Sequence, residues 1–327
     1  MNTGKHLLDD VRSGSRRALS KCLSILESTR EQDRNLAYEL LAQCKPHERT
    51  WRIGITGPPG VGKSSFVEVF GQLLVNKGRR VAVLAVDPSS TRTGGSILGD
   101  KVRMPQLSLD NRAFVRPSPS RACLGGVTPT TRDAILLCEE AGYDTILIET
   151  VGVGQSEIEV GSMVDMFMLL ALPTAGDEVQ GIKRGIMEMA NAILVTKSDL
   201  DAGATNRAVS ILRSAMQFMI PSAEGWSVPI LPVSVVAGDG MQECSRVVDE
   251  FFHESRRSAL AAVRAEQRRE WFDKALHHEL MEVLMSQATT TALFSTMREQ
   301  SISGELPPTI GVHRLLAHLS ISLSEHT

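Results

Sequence analysis

Residues Gly57-Pro58-Pro59-Gly60-Val61-Gly62-Lys63-Ser64 satisfy the spacing G-x-x-x-x-G-K-[ST]. The chemistry this spacing serves is anion capture. Glycines let backbone N–H groups turn around a phosphate, and a helix beginning at the end of the loop adds about half a positive charge. Lys63 is placed to reach the β- and γ-phosphates, and the Ser64 hydroxyl to hold Mg²⁺, with Ser65 next to them on the first helical turn. Pro58, Pro59 and Val61 complete the loop wall. The expected ligand is a nucleoside triphosphate.

Three further polar stretches could serve such a ligand. Asp87 opens a glycine-rich loop that runs to Gly99-Asp100, and both carboxylates are candidates for the Mg²⁺ shell, directly or through its waters. Glu149 ends an apolar run, the position of a Walker-B carboxylate. Gly152 follows three residues later, spaced so that a backbone N–H meets the γ-phosphate, which makes the segment a switch candidate. Thr196-Lys197-Ser198-Asp199 resembles the guanine-reading N-K-x-D pattern, with Thr in place of Asn. There Asp199 would accept from the guanine N1–H and amino group, donors that adenine lacks, while the Lys197 stem packs on the base. Ser234, Val235 and Val236 follow a later apolar run and are placed to close over the base.

The elements needed to position these groups are legible as hydrophobic periodicity. Strands are expected at 51–56, 80–86, 113–116, 144–149, 166–172, 192–196 and 229–233. Most are continuously apolar, as in a parallel sheet buried on both faces. Helical stretches lie between them, such as 129–141, with Thr128 as N-cap and Gly142 past its end. The expected fold is α/β, a doubly wound, mostly parallel sheet whose ligands sit at the carboxyl ends of the strands. Residues 5–43 read as an amphipathic helical extension that docks on the chain's own core. Between Gly240 and Gly304 there is no Gly or Pro, and apolar residues recur at helical spacing, which reads as a helical dimerisation arm. The expected division is 1–45, 46–240 and 241–327; residues 301–327 carry no assignable role.

Composition excludes several classes. A net charge of −3 and 4% aromatic residues leave neither the electrostatics nor the stacking platforms for nucleic acid, and no reason to expect an anionic membrane surface. The charged N-terminal residues lack an apolar signal region. Five scattered cysteines with no C-x-x-C pair fit reduced thiols in a cytoplasmic protein.

Four stretches resemble one family closely: the phosphate loop, V-D-P-S-S-T-R-T-G-G-S-I-L-G-D-K at 86–101, E-T-V-G-V-G-Q-S-E at 149–157 and A-G-D-E-V-Q-G-I-K-R-G at 175–185. They are similar to the MeaB/MMAA (ArgK) P-loop GTPases, the G-protein chaperones of adenosylcobalamin-dependent acyl-CoA mutases, chiefly methylmalonyl-CoA mutase. The resemblance spans roughly residues 5 to 285, and T-K-S-D also occurs in this family. It implies Mg²⁺-dependent hydrolysis of GTP to GDP, a homodimer, and gated delivery of adenosylcobalamin to the mutase. It makes 87–100 and 149–157 switches I and II, and 174–185 a third switch working through Asp177, Gln180 and Lys183. Gln155 and Lys183 are the candidates for orienting the attacking water. The rival readings are an ATPase linked to transport of lysine, arginine or ornithine, and a nickel-type metal-insertion GTPase.

Overall fold

The computed structural model describes residues 3–86, 104–116, 127–150, 156–173, 184–219, 225–253, 256–285 and 288–324. It divides into two compact units, Met1–Gln267 and Arg268–Thr327.

In the first unit, α1 (Thr3–Arg12), α2 (Arg16–Leu26) and α3 (Glu31–Leu41) precede β1 (Trp51–Thr56). Next come α4 (Lys63–Asn76), β2 (Val81–Val86), α5 (Pro105–Leu109), β3 (Ala113–Arg116), α6 (Val127–Glu140) and β4 (Thr145–Thr150). The chain continues with α7 (Ser156–Gly161), β5 (Met166–Ala171), α8 (Arg184–Met189), β6 (Ala192–Val195), α9 (Ala202–Met216), β7 (Ile230–Pro232) and α10 (Met241–Phe251). α11 (Arg257–Met285), α12 (Ala288–Ser303) and α13 (Pro308–Ser324) complete the order.

The strands form one parallel sheet in the order β3-β2-β4-β1-β5-β6-β7. β2, β3 and β4 lie on one side of β1 and β5, β6 and β7 on the other, which places the ligand crevice beside its carboxyl end. Period-two alternation splits the sheet's side chains between two cores. Ile146 and Ile148 of β4 join Leu8, Leu19, Leu23 and Leu40 of the N-terminal helices on one face. Leu147 joins Phe66 and Phe70 of α4 and Phe251 of α10 on the other. Every expected strand is present within about one residue of its expected ends. Gly54 of β1 is closely packed on both sides: a Cβ there would meet Val160 Cγ1 of α7 at 3.0 Å and Phe167 Cδ2 of β5 at 3.1 Å.

Both ends of the chain add detail to the expectation. The N-terminal extension is three helices rather than one continuous pattern. Gly14 takes a φ of 88°, and the Ser15 hydroxyl accepts from the Ala18 N–H to start α2. At the other end of the chain, the unassigned region contains α13. Gly304 and the Pro307-Pro308 pair separate α12 from α13, with Pro308 at the first helical position, where its missing N–H costs nothing. α12 and α13 pack on each other within the second unit.

Candidate nucleotide site

The loop after β1 depends on backbone that only glycine supplies at its first position. Gly57 has a φ of 152°, and a Cβ there would lie 2.5 Å from the Leu170 carbonyl oxygen of β5. That neighbour is backbone and cannot move aside. Gly62, with a φ of 97°, is the N-cap of α4, so Lys63 and Ser64 form its first turn. Pro59, Gly60 and Ser65 are exposed, while Val61 is buried beneath them.

Lys63 is 7% exposed, and its ammonium donates to the Gly57 and Pro58 carbonyls at 2.7 and 3.1 Å. Burial pushes its pKa below the ordinary lysine value, against the charges of Glu149 and Glu157, which pull it up. The Ser64 hydroxyl donates to Glu149 Oε1 at 2.7 Å. Glu149 is buried and pairs across the sheet with Ile55 of β1 and Ala85 of β2, one residue before β4 ends. A hydroxyl and a carboxylate this close are hard oxygen donors, the set that Mg²⁺ takes. Beneath them, the Thr150 hydroxyl donates to the Thr56 hydroxyl at 2.9 Å, holding the ends of β4 and β1 together.

The T-K-S-D segment leaves β6 on the same edge. The Thr196 hydroxyl lies 2.9 Å from the Val61 carbonyl and 3.2 Å from that of Ala171. Its single proton therefore ties the segment to the phosphate loop and to β5, which explains why Thr can stand where the pattern has Asn. Lys197 is the one non-glycine residue with positive φ among the described residues, at 56°. A lysine held in the left-handed region costs free energy, and such outliers cluster at ligand sites. Asp201 caps α9, accepting from the Ala204 N–H at 2.9 Å, while Asp199 is exposed on the crevice edge. After β7, Ser234 is fully buried, and its hydroxyl accepts from the Ala237 N–H to shape a turn. That turn presents Val235 half-buried and Val236 91% exposed.

The fold thus gathers Lys63, Ser64, Glu149, Lys197, Asp199 and the Ser234 turn at the carboxyl edges of β1, β4, β6 and β7. Asp87, Asp100, Gly152, Gln155, Asp177, Gln180 and Lys183 lie outside the described residues. Glu157 was not singled out from the sequence. It is 4% exposed on α7, and its charge acts on Lys63. Its burial on a short helix after a glycine-rich loop leaves no periodicity signal.

Among the described residues, no helix is long and apolar enough to cross a membrane. The family model described as methylmalonyl Co-A mutase-associated GTPase MeaB matches residues 19–289. The mouse protein named methylmalonic aciduria type A homolog, mitochondrial, is 43% identical over 308 residues, covering 90% of this chain and 74% of its own. Escherichia coli GTPase ArgK is 41% identical over 285 residues, covering 84% of each chain. A solved structure described as a LAO/AO transport system kinase superposes with a TM-score of 0.76 at 31% identity, covering 97% of this chain and 98% of that one. The phosphate loop, the strand-end carboxylate and the Lys-x-Asp segment on one sheet edge agree with these matches, and the chain belongs to the MeaB family of P-loop GTPases.

Proposed function

We propose that this GTPase is the nucleotide-dependent chaperone of an adenosylcobalamin-dependent acyl-CoA mutase of the methylmalonyl-CoA type, gating cofactor delivery and protecting or reactivating the enzyme. The observation that carries the nucleotide part is the convergence of Lys63 and the Ser64–Glu149 pair with Lys197 and Asp199 on one edge. The mutase part is supported by the description of the matching family.

In this reading, Lys63 exchanges its loop carbonyls for β- and γ-phosphate oxygens, and the N–H groups at the start of α4 bind the phosphates. Ser64 and Glu149 would hold Mg²⁺, with Asp87 and Asp100 completing its surroundings. When bound, the ion supplies neutralisation of phosphate charge. Gln155 and Lys183 orient the attacking water. Gly152 meets the γ-phosphate, and Asp177, Gln180 and Lys183 carry the nucleotide state to the partner. Asp199 reads guanine while Lys197 and the Val235-Val236 turn enclose the base. The described likeness to a transport system kinase favours one second reading, an ATPase serving amino-acid transport. An Asp at the Lys-x-Asp position argues against it, because adenine offers no donor pair to a carboxylate.

One assay separates the two: phosphate release from GTP and from ATP, with and without the cognate mutase, for the natural chain and Asp199→Ala. The expected result is slow GTP-selective turnover stimulated by the mutase, with GTP affinity at least tenfold weaker in the variant, about 1.4 kcal/mol. ATP selectivity, or indifference to the mutase, would reject the chaperone reading.

The second unit supports a homodimer. Phe272, Leu276, Leu280 and Val283 of α11 recur at helical spacing on one stripe and are 69, 47, 50 and 61% exposed. A second copy of the chain would cover this stripe. Light scattering should return twice the mass of one chain, and Leu276→Glu/Leu280→Glu should halve it; a mass of one chain before substitution rejects the dimer.

A further inference from the structure

α5 has five residues, Pro105–Leu109, too few to hold a helical conformation alone, so whatever fixes it comes from outside. Its N-cap position is Met104, whose side chain makes no capping bond to the first-turn N–H groups. Glu68 of α4 supplies the acceptor instead. Its Oε1 accepts from the Gln106 N–H at 2.8 Å and from the Leu107 N–H at 3.2 Å, and its Oε2 lies 3.3 Å from the same Leu107 nitrogen. At the other end, Arg16 of α2 donates to the Ser108 and Asp110 carbonyls at 3.2 and 3.4 Å. Both ends of α5 are therefore satisfied by side chains of other elements.

The face of α4 that grips this segment continues from the face that would carry the metal. Ser64, Glu68, Gly71 and Val75 recur at i, i+4, i+7 and i+11, so they lie in one stripe. Ser64 meets Glu149 at the start of the stripe. One turn on, Glu68 holds the two N–H groups, with its Cβ about 5–6 Å from that of Ser64. Gly71 leaves the room that fully buried Leu107 fills: a Cβ at that position would come within 2.7 Å of Leu107 Cδ2. Arg112 Nη1 then donates to the Val75 carbonyl at 3.0 Å. The first turn of α4 thus carries Lys63 and Ser64, and the rest of the Ser64 stripe holds residues 104–112.

We propose that Glu68 is a positioning residue for the metal: by fixing where residues 104–112 lie on α4, it sets the affinity of the nucleotide-bound chain for Mg²⁺. The inference rests on the proposed function, in which Ser64 and Glu149 hold the ion and Asp100 helps complete its surroundings. Asp100 stands six residues before Gln106, so the place where Gln106 is held limits where Asp100 can act. The Glu68 oxygens are taken up by the α5 N–H groups, so the residue acts through the segment and not as a ligand.

The test compares the natural chain with Glu68→Ala and Glu68→Gln, each loaded with a non-hydrolysable GTP analogue and titrated calorimetrically with Mg²⁺. Glutamine keeps an acceptor oxygen for both N–H groups and loses the charge, so the two variants separate anchoring from simple attraction of a cation to a nearby carboxylate. Glu68→Ala is expected to weaken Mg²⁺ binding about tenfold, the low end of what losing an outer support of a metal site costs, while Glu68→Gln stays close to the natural chain. In the nucleotide-free chain, amide hydrogen exchange at Gln106 and Leu107 should quicken in the alanine variant and not in the glutamine one. GTP turnover by Glu68→Ala should be low at limiting Mg²⁺ and recover at saturating Mg²⁺, which also reports that the variant folds. Unchanged Mg²⁺ affinity in Glu68→Ala, equal loss in both variants, or turnover that saturating Mg²⁺ does not restore would overturn the proposal alone. A natural chain whose GTP turnover is indifferent to Mg²⁺ would reject the metal reading and the proposal with it.

Discussion

Lys63→Ala is expected to lower GTP turnover about a thousandfold, on the order of 4 kcal/mol of transition-state stabilisation. Phosphoryl transfer depends on positioning and charge neutralisation more than on covalent chemistry, so deleting a fixed cation removes one of its main contributions. Lys63 is suited to this by its environment. It is almost fully buried, so its charge acts with little water between it and a bound phosphate. Burial also lowers its pKa, so the charge is poorly compensated until an anion arrives, although Glu149 and Glu157 limit the drop. A released-phosphate assay under saturating GTP measures the effect. A change of less than about tenfold would mean that Lys63 does not act on the transferred group. Thermal unfolding of the same variant should move little, because the amine's present partners are loop carbonyls that water can satisfy.

Arg264→Met is expected to cost about 3–5 kcal/mol of unfolding free energy. The Arg264 and Asp165 side chains are 3% and 0% exposed and meet through two bonds, Nε to Oδ1 at 2.7 Å and Nη2 to Oδ2 at 2.6 Å. The guanidinium also donates to the Thr50 carbonyl and, at 3.0 Å, to that of His47. Asp165 further accepts from the Arg52 N–H at 3.0 Å. Burial opposes the arginine's charge, but the Asp165 bonds outweigh it and hold the pKa above its ordinary value. Methionine keeps the volume and strands Asp165 as a buried charge while the Thr50 carbonyl loses its donor, which is why one-sided removal costs more than the pair contributes. Adding Asp165→Asn should recover part of the loss, because no buried charge then remains. Urea unfolding of the single and double variants checks both statements. A loss below about 1 kcal/mol in the single variant, or no recovery in the double, would show that the pair is solvated.

The two effects illustrate what was legible in the chain. By itself, the sequence determined the parallel α/β fold and the phosphate loop. Strands such as Trp51–Thr56 and Met166–Ala171 are continuous apolar runs, and the glycine–lysine spacing is local, so a short window contains each signal. It also placed Glu149 and Asp199 at strand ends, where the crevice of such a sheet must lie. The tertiary structure alone decided the rest, because the responsible contacts join residues far apart in the chain. Arg264 lies in a run of charged residues, Arg264 to Arg269, whose local pattern carries no sign of burial, and its meeting with Asp165, 99 residues away, is what holds it inside. Thr196 reads as a mismatch until its hydroxyl reaches Val61, 135 residues earlier. Arg79 and Trp51 belong to separate elements until the sheet sets one over the other. Hydrophobic period and turn chemistry are local properties, whereas the partner of a buried charge or hydroxyl is set by strand order, and strand order exists only once the chain has folded.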